Sequence, residues 1–183
     1  MLIPTSWLTR YVKLSVDPKE LAHQLTMAGV EVESVEQIGM HLDPDLVVVG
    51  EIVKLEPHPN ADRLQLPTVD LGTGESIKVV CGAPNVAVGQ KVAFAKLGAR
   101  LLNTHSGRDE PLRPAKIRGF ESKGMVCSIK ELSLGEDNEG ILVLDPDAVV
   151  GSPLIDLVGD NLLNIAVTPN RPDCLSVLGV ARE

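Results

Sequence analysis

From residue 46 to about residue 147 the chain is a succession of short β-type runs, and the glycines between them constrain the fold more than any other feature. The run 46–53 is apolar and β-branched. Residues 64–71 alternate and end at Gly72-Thr73-Gly74, residues 77–81 are closed by Gly82, residues 91–97 by Gly98, and residues 124–128 make a fifth run. Helical periodicity is weak throughout. Five short strands with glycine-rich turns suit a small closed or half-closed β-barrel, because closure removes the edges on which other chains would pair. Pro67 falls within the second run and cannot donate to a ladder, so that strand is expected at an edge or bulged at that point.

The flanks have a different texture. Asp17 or Ser15 can cap a helix whose apolar positions Leu21, Leu25 and Ala28 share one face, with Gly29 at its C-terminal stop. Residues 30–35 alternate as a half-buried strand. Gly39 and Pro44 mark one boundary, and Asp145-Pro146-Asp147 with Gly151-Ser152-Pro153 marks a second. Beyond it, residues 162–167 read as a short strand. Asp173 is then expected to cap a helix that begins at Cys174 and still runs at Glu183, which predicts a longer parent protein.

The composition sets limits on function. With 183 residues, 44% of them hydrophobic, the chain can bury a real core. No run of 18 apolar residues exists, and the N-terminus has no basic-then-apolar secretory pattern. Cys81, Cys127 and Cys174 are widely spaced and odd in number, as expected of free thiols in a reducing cytoplasm. The net charge is −8, but residues 91–130 carry 9 Lys/Arg against 3 Asp/Glu. An acidic chain with one basic district can hold a phosphate backbone locally. An ordinary solvated face explains the charge alone equally well.

Three motifs are dense in chemistry. In residues 58–64, His58-Pro59-Asn60-Ala61-Asp62-Arg63-Leu64, Pro59 fixes φ and Asn60 or Asp62 can bond nearby backbone N–H groups, giving a rigid turn that feeds a strand. Structural support is its simpler role, as it is for Val80-Cys81-Gly82-Ala83-Pro84-Asn85. The third, residues 115–125, places Lys116, Arg118 and Lys123 among small or flexible neighbours, with Ser122 as a neutral donor. Such a loop lets cationic groups approach phosphates, and an ordinary exposed basic hairpin is the alternative. The candidate contacts are Lys116, Arg118, Ser122 and Lys123, supported by Lys91, Lys96, Arg100 and Arg63; Arg108 and Arg113 lie nearby.

These three motifs resemble the tRNA-binding domain shared by free-standing tRNA-binding proteins, some methionyl-tRNA synthetase extensions and the phenylalanyl-tRNA synthetase beta-subunit family. Trp7-Leu8, the stretch 25–33 and the segment 167–183 resemble the flanks in that last family. The resemblance implies an OB-fold barrel, residues 41–151, inserted into a small α+β domain made of residues 1–40 and 152–183. It also implies a catalytic alpha subunit as partner in an α2β2 assembly, tRNA(Phe) rather than DNA as the nucleic acid, a cytoplasmic setting, and ATP with Mg²⁺ for the whole enzyme but no cofactor in this segment. Residues 102–114 look longer than the usual connection there.

Aromatic content is 2%, so base stacking on aromatic platforms is not expected to dominate, and Phe94 reads as core. Contacts to phosphate and sugar that read the shape of a folded RNA fit better. Catalysis within the chain is not expected. His23, His41, His58 and His105 have no acid or nucleophile at a recurring spacing, the cysteines lack zinc-ligand spacing, and no nucleotide-binding glycine loop is present. The competing readings are a structural or protein-contacting module of the same synthetase and a free-standing tRNA-binding protein.

Overall fold

The computed structural model describes residues 1–74, 76–104 and 106–183; Glu75 and His105, one of the four histidines considered above, lie outside the described residues. The chain divides into two compact units, Met1–Met40 with Gly159–Glu183, and His41–Val158. In chain order the elements are β1 (Leu2–Pro4), α1 (Thr5–Leu8), α2 (Pro18–Met27), β2 (Glu31–Ile38), β3 (Val47–Pro57), β4 (Gln65–Asp70), β5 (Ser76–Lys78), β6 (Lys91–Lys96), β7 (Arg100–Asn103), β8 (Arg108–Pro111), β9 (Ala115–Ile117), β10 (Phe120–Ser122), β11 (Gly124–Val126), α3 (Ile155–Val158), β12 (Asp160–Ala166), a 3-10 turn (Pro172–Leu175) and α4 (Val177–Val180).

In the first unit, β12 lies between β1 and β2 in an antiparallel sheet. Asp17, not Ser15, caps α2 by accepting from the Lys19 and Glu20 N–H groups at 2.9 and 3.1 Å. The inward face of α2 is Leu21, Ala22 and Leu25, which pack with Leu163 and Ile165 of β12; Ala28, expected inward, is exposed. Gly29 follows the helix with φ 93°, the left-handed conformation that glycine adopts at no steric cost. The alternation expected of residues 30–35 slips at Glu33, where a bulge opposite β12 changes the phase, so Val32 and Val35 both face the core.

The C-terminal helix departs most from its expectation. Asp173 sits inside the 3-10 turn, paired with Arg171 at 2.9 Å, and that ion pair holds its carboxyl at about 2. Ser176 is the actual cap, accepting from the Gly179 N–H at 3.0 Å, and α4 ends at Val180.

The second unit is built on a curled five-stranded antiparallel sheet, order β11-β6-β3-β4-β5, whose strands are the five runs expected from the sequence. The curl originates in β3. Its first half, residues 47–51, pairs with β6, its second half, residues 51–57, pairs with β4, and Glu51 pairs with both. A bulge at Val53 sharpens the bend. Gly50 lies at the turn of the strand, where a Cβ would press on Val69 and come within 3.2 Å of Leu71. Alternate residues of β3 and β6 serve two cores. Val48, Ile52, Val92 and Phe94 face one cluster, while Val47, Ala93 and Ala95 face another with Leu101, Cys127, Leu132 and Leu154. Burial on both faces explains why these two strands read as nearly continuous apolar runs.

Pro67 is not at an edge, because β4 lies between β3 and β5. The bulge falls on the partner strand instead. Pro67 lies opposite Val79, where only the Val79 N–H to Pro67 C=O bond can form, at 3.0 Å; the following pair, Gln65 and Cys81, exchanges both. The missing donor is tolerated because β5 stops at Lys78.

The sheet is open. Among the described residues β5 and β11 do not pair. The margin is crossed by a side chain: Ser122 Oγ accepts from the Val80 N–H at 3.3 Å and donates to the Gly124 C=O at 2.9 Å. Two hairpins follow β6: β7–β8, which the sequence did not indicate, and β9–β10, which gives the basic motif of residues 115–125 its hairpin form.

Two expectations test this architecture. A Cβ at Gly124 would lie 2.8 Å from Phe94 Cε1 and 3.0 Å from the Ala95 carbonyl, so Gly124→Ala is expected to destabilise by about 1–3 kcal/mol in urea unfolding. In the first unit, burial pushes the Asp160 carboxyl up, but hydrogen bonds from Ser6, Thr5 and Asn161 outweigh it and leave the pKa below its ordinary value. That contribution is complete above the unfolded value of about 3.9 and is lost as pH falls through the folded value. The stability deficit of Asp160→Asn in urea titrations should therefore be large at neutral pH and shrink below about pH 4.

Candidate nucleic-acid interface

Two residues, Arg118 and Gly119, join β9 to β10, because Ile117 pairs directly with Phe120. Both have positive φ, 46° and 99°. This is the conformation of the type I′ turn, whose twist matches that of the flanking strands. Asparagine or glycine normally occupies its first position; a longer L-residue in the left-handed region costs about 1–2 kcal/mol. Arg118 is exposed there. The hairpin thus holds a cation at its tip against its own backbone preference, a pattern found where function constrains a loop.

The hairpin is anchored by an aromatic contact. Phe120 meets the ring of His58 edge-on, with centroids 5.0 Å apart and planes at 66°. His58 is only 5% exposed and closes the loop before β4, its N–H donating to the Leu64 C=O at 3.1 Å. Its Nδ1 accepts from the Asn60 N–H at 3.1 Å. The neutral ring therefore carries its proton on Nε2, which has no hydrogen-bond partner among the described residues. The first and third sequence motifs are thereby brought together, with Arg63 exposed on the first. The second motif is structural: the Asn85 amide donates to the Ile141 C=O at 3.0 Å and accepts from its N–H at 2.9 Å.

The remaining candidates separate into presented and committed groups. Lys116 is exposed on β9, opposite Glu121 across the hairpin. Lys123 is also exposed, but lies 3.7 Å from Glu121. Lys91 is mostly buried and paired with Glu51. Lys96 Nζ donates to the Asp45 C=O at 2.9 Å, and Arg100 Nη2 to the Asp109 C=O at 3.3 Å. Ser122 is buried, and both roles of its hydroxyl are taken up at the sheet margin. Elsewhere on the sheet Glu56 neutralises two more cations; Lys78 and then Lys54 hold its carboxyl at about 2. Arg63, Lys116 and Arg118 are the presented members, and none of the three forms an ion pair among the described residues. The roles of His58 and Phe120 as the anchor depend on a contact across 62 positions of chain, and the only local sign of it is an aromatic residue two places after the tip.

A small curled antiparallel sheet with a cationic hairpin at its open margin defines a class of β module on which nucleic-acid surfaces are built. Residues 47–153 match the family described as "putative tRNA binding domain", and the chain belongs to that family. Two curated proteins named phenylalanine–tRNA ligase beta subunit, from Dehalococcoides mccartyi strain CBDB1 and from Chlorobaculum tepidum, are each 49% identical over 185 residues, covering 100% of this chain and 22% of theirs. This chain thus spans about a fifth of the length of those relatives. A solved MetRS related protein from Pyrococcus horikoshii is 24% identical with a TM-score of 0.41, covering 59% of this chain and 87% of that one.

The strain at the hairpin tip predicts a measurable trade. Arg118→Asn creates the Asn-Gly pair that a type I′ turn favours, so thermal and urea unfolding should show a protein stabilised by about 0.5–1 kcal/mol. An unchanged or lowered stability would show that the turn does not hold Arg118 under strain.

Proposed function

We propose that this chain is the tRNA-contacting N-terminal part of a phenylalanine–tRNA ligase beta subunit. On this reading residues 41–151 are an OB-fold domain inserted into a small α+β domain of residues 1–40 and 152–183. The observation that carries the proposal is the strained, exposed Arg118 at the tip of an anchored hairpin, with Lys116 beside it and Arg63 on the loop to which it is tied. Three cations with no ion-pair partner among the described residues, on two interlocked loops, suit phosphates at the surface of a folded RNA, and the scarcity of aromatic residues suits shape reading over base stacking. The whole ligase would join phenylalanine to its tRNA with ATP and Mg²⁺, in the cytoplasm, as an α2β2 assembly with a catalytic alpha subunit. Among the described residues no group of three or more His, Cys, Asp or Glu is placed to hold a metal ion, and no step of that chemistry is assigned to this chain.

The test is a titration of the 183-residue chain with tRNA at two salt concentrations. With roughly three phosphates contacted, affinity should fall about 10- to 50-fold between about 50 and about 200 mM monovalent salt. Arg118→Ala should weaken binding and lower the log–log salt slope by about 1. The absence of binding, or binding indifferent to salt, would refute the proposal.

One observation favours a second reading, a module that buttresses the synthetase or contacts protein. Glu121 lies opposite Lys116 and beside Lys123, and Asp109 and Glu110 are exposed on β8, so acids interrupt the basic surface. Weak tRNA binding that Arg118→Ala and Lys116→Ala leave unchanged, with no measurable salt dependence, would support it.

A further inference from the structure

The hairpin β7–β8 and the residues that leave it carry three arginines, Arg100, Arg108 and Arg113, against Asp109 and Glu110. Beneath it lies a cavity of about 560 Å³, within the range of about 300–1,000 Å³ typical of sites for small organic groups. The aliphatic part of its lining is Leu101, Leu102 and Leu112 from the hairpin and its exit, with Met125 from β11, and polar side chains make up about half of the lining residues. Two ionic groups among its lining residues matter most. Arg113 is exposed and forms no ion pair among the described residues. Glu131, which lines both this cavity and a neighbouring one beside Cys81 and Asn138, is half-buried, with Oε2 held by the Ser128 N–H and Oγ at 2.7 and 2.8 Å, whereas Oε1 accepts no hydrogen bond among the described residues. The other carboxylate of the lining, Glu110, is occupied by Ser106 and Asn103 at 2.8 and 3.0 Å.

We infer that this cavity receives one unpaired nucleotide of the bound RNA, a site that rests on the proposed function and extends it from shape reading to base capture. The flat faces of a base suit a slot between leucine and methionine side chains, which exclude water as aromatic platforms do. Arg113 supplies the charge for the attached phosphate, and Arg100 and Arg108 of the β7–β8 hairpin extend that charge. Glu131 Oε1 is an acceptor for an exocyclic amino group, so adenine, cytosine and guanine are favoured over uracil, which has none. Arg113 is three residues from Lys116, at most about 11 Å along the chain. An RNA strand held on the β9–β10 hairpin can therefore deliver its neighbouring nucleotide to the cavity.

The experiment uses the 183-residue chain labelled with ¹³C at the methionine methyl groups. Of the four methionines, Met125 alone falls within residues 41–158. AMP, CMP, GMP and UMP are titrated separately, followed by tRNA. The Met125 methyl should shift saturably with AMP, CMP and GMP, about tenfold more weakly with UMP, and again with tRNA, while Met1, Met27 and Met40 stay unmoved. Leu102→Trp, which fills the slot, should abolish the mononucleotide response. Should that variant not fold, Arg113→Ala at the exposed rim should weaken the response several-fold with the free-protein spectrum retained. A Met125 signal unmoved by mononucleotides and by tRNA that binds with the expected salt dependence would overturn the cavity and leave the proposed function standing. Failure of tRNA to bind would overturn the proposed function itself. Equal affinity for UMP and the other three would overturn the role given to Glu131.

Discussion

The double pairing of β3 is the constraint from which the rest of the His41–Val158 unit follows. One strand hydrogen-bonds to β6 through its first half and to β4 through its second, and a sheet joined in this way must curl. The curl requires close packing inside the bend, and the residue there is Gly50, against which Val69, Leu71 and Phe94 close. The bulge at Val53 adds the local twist that a regular ladder resists. Once β3 is bent, β11 and β5 stand at the two margins of one sheet, and the opening between them is where Ser122 and the β9–β10 hairpin lie.

The basic hairpin shows stability and presentation pulling in opposite directions. Its turn would be better filled by asparagine, yet it holds Arg118 at positive φ. The cost is borne by the anchoring beneath it, where Phe120 packs on a buried histidine and Ser122 ties the end of β10 to the segment after β5. A cation on a loop without such support would sample many positions, and ordering it on binding would weaken the contact. Two short loops locked to each other present their charges with that entropy already spent.

Much of the architecture was legible in the chain because it rests on local signals. The five runs became β3, β4, β5, β6 and β11 with boundaries close to those expected, and α2 begins at its Asp17 cap and ends before Gly29. The misses arise where partners or element length, rather than local signals, decide the outcome. The inward phase of β2 changes at Glu33, and the irregularity expected at Pro67 appears on β3, because a bulge belongs to a pair of strands rather than to one. The helix expected to start at Cys174 begins later because Arg171 claims Asp173 as an ion-pair partner, leaving the cap to Ser176. Residues 102–114 were read as a connection, and the β7–β8 hairpin was missed because two strands of four residues are too short for periodicity to register.

The sequence by itself determined where the strands lie, which district is basic, and that a scarcity of aromatic side chains steers the surface towards charge and shape. Those properties are carried by neighbouring residues and by totals, and survive any arrangement of the chain. Only the tertiary structure decided which of the candidate groups face outward. Lys91 is taken by Glu51, Lys96 by the Asp45 carbonyl and Ser122 by Val80, whereas Arg63, Lys116 and Arg118 are left presented. Each of those commitments joins residues some 40 or more positions apart, and the availability of a side chain is set by partners that local sequence does not name.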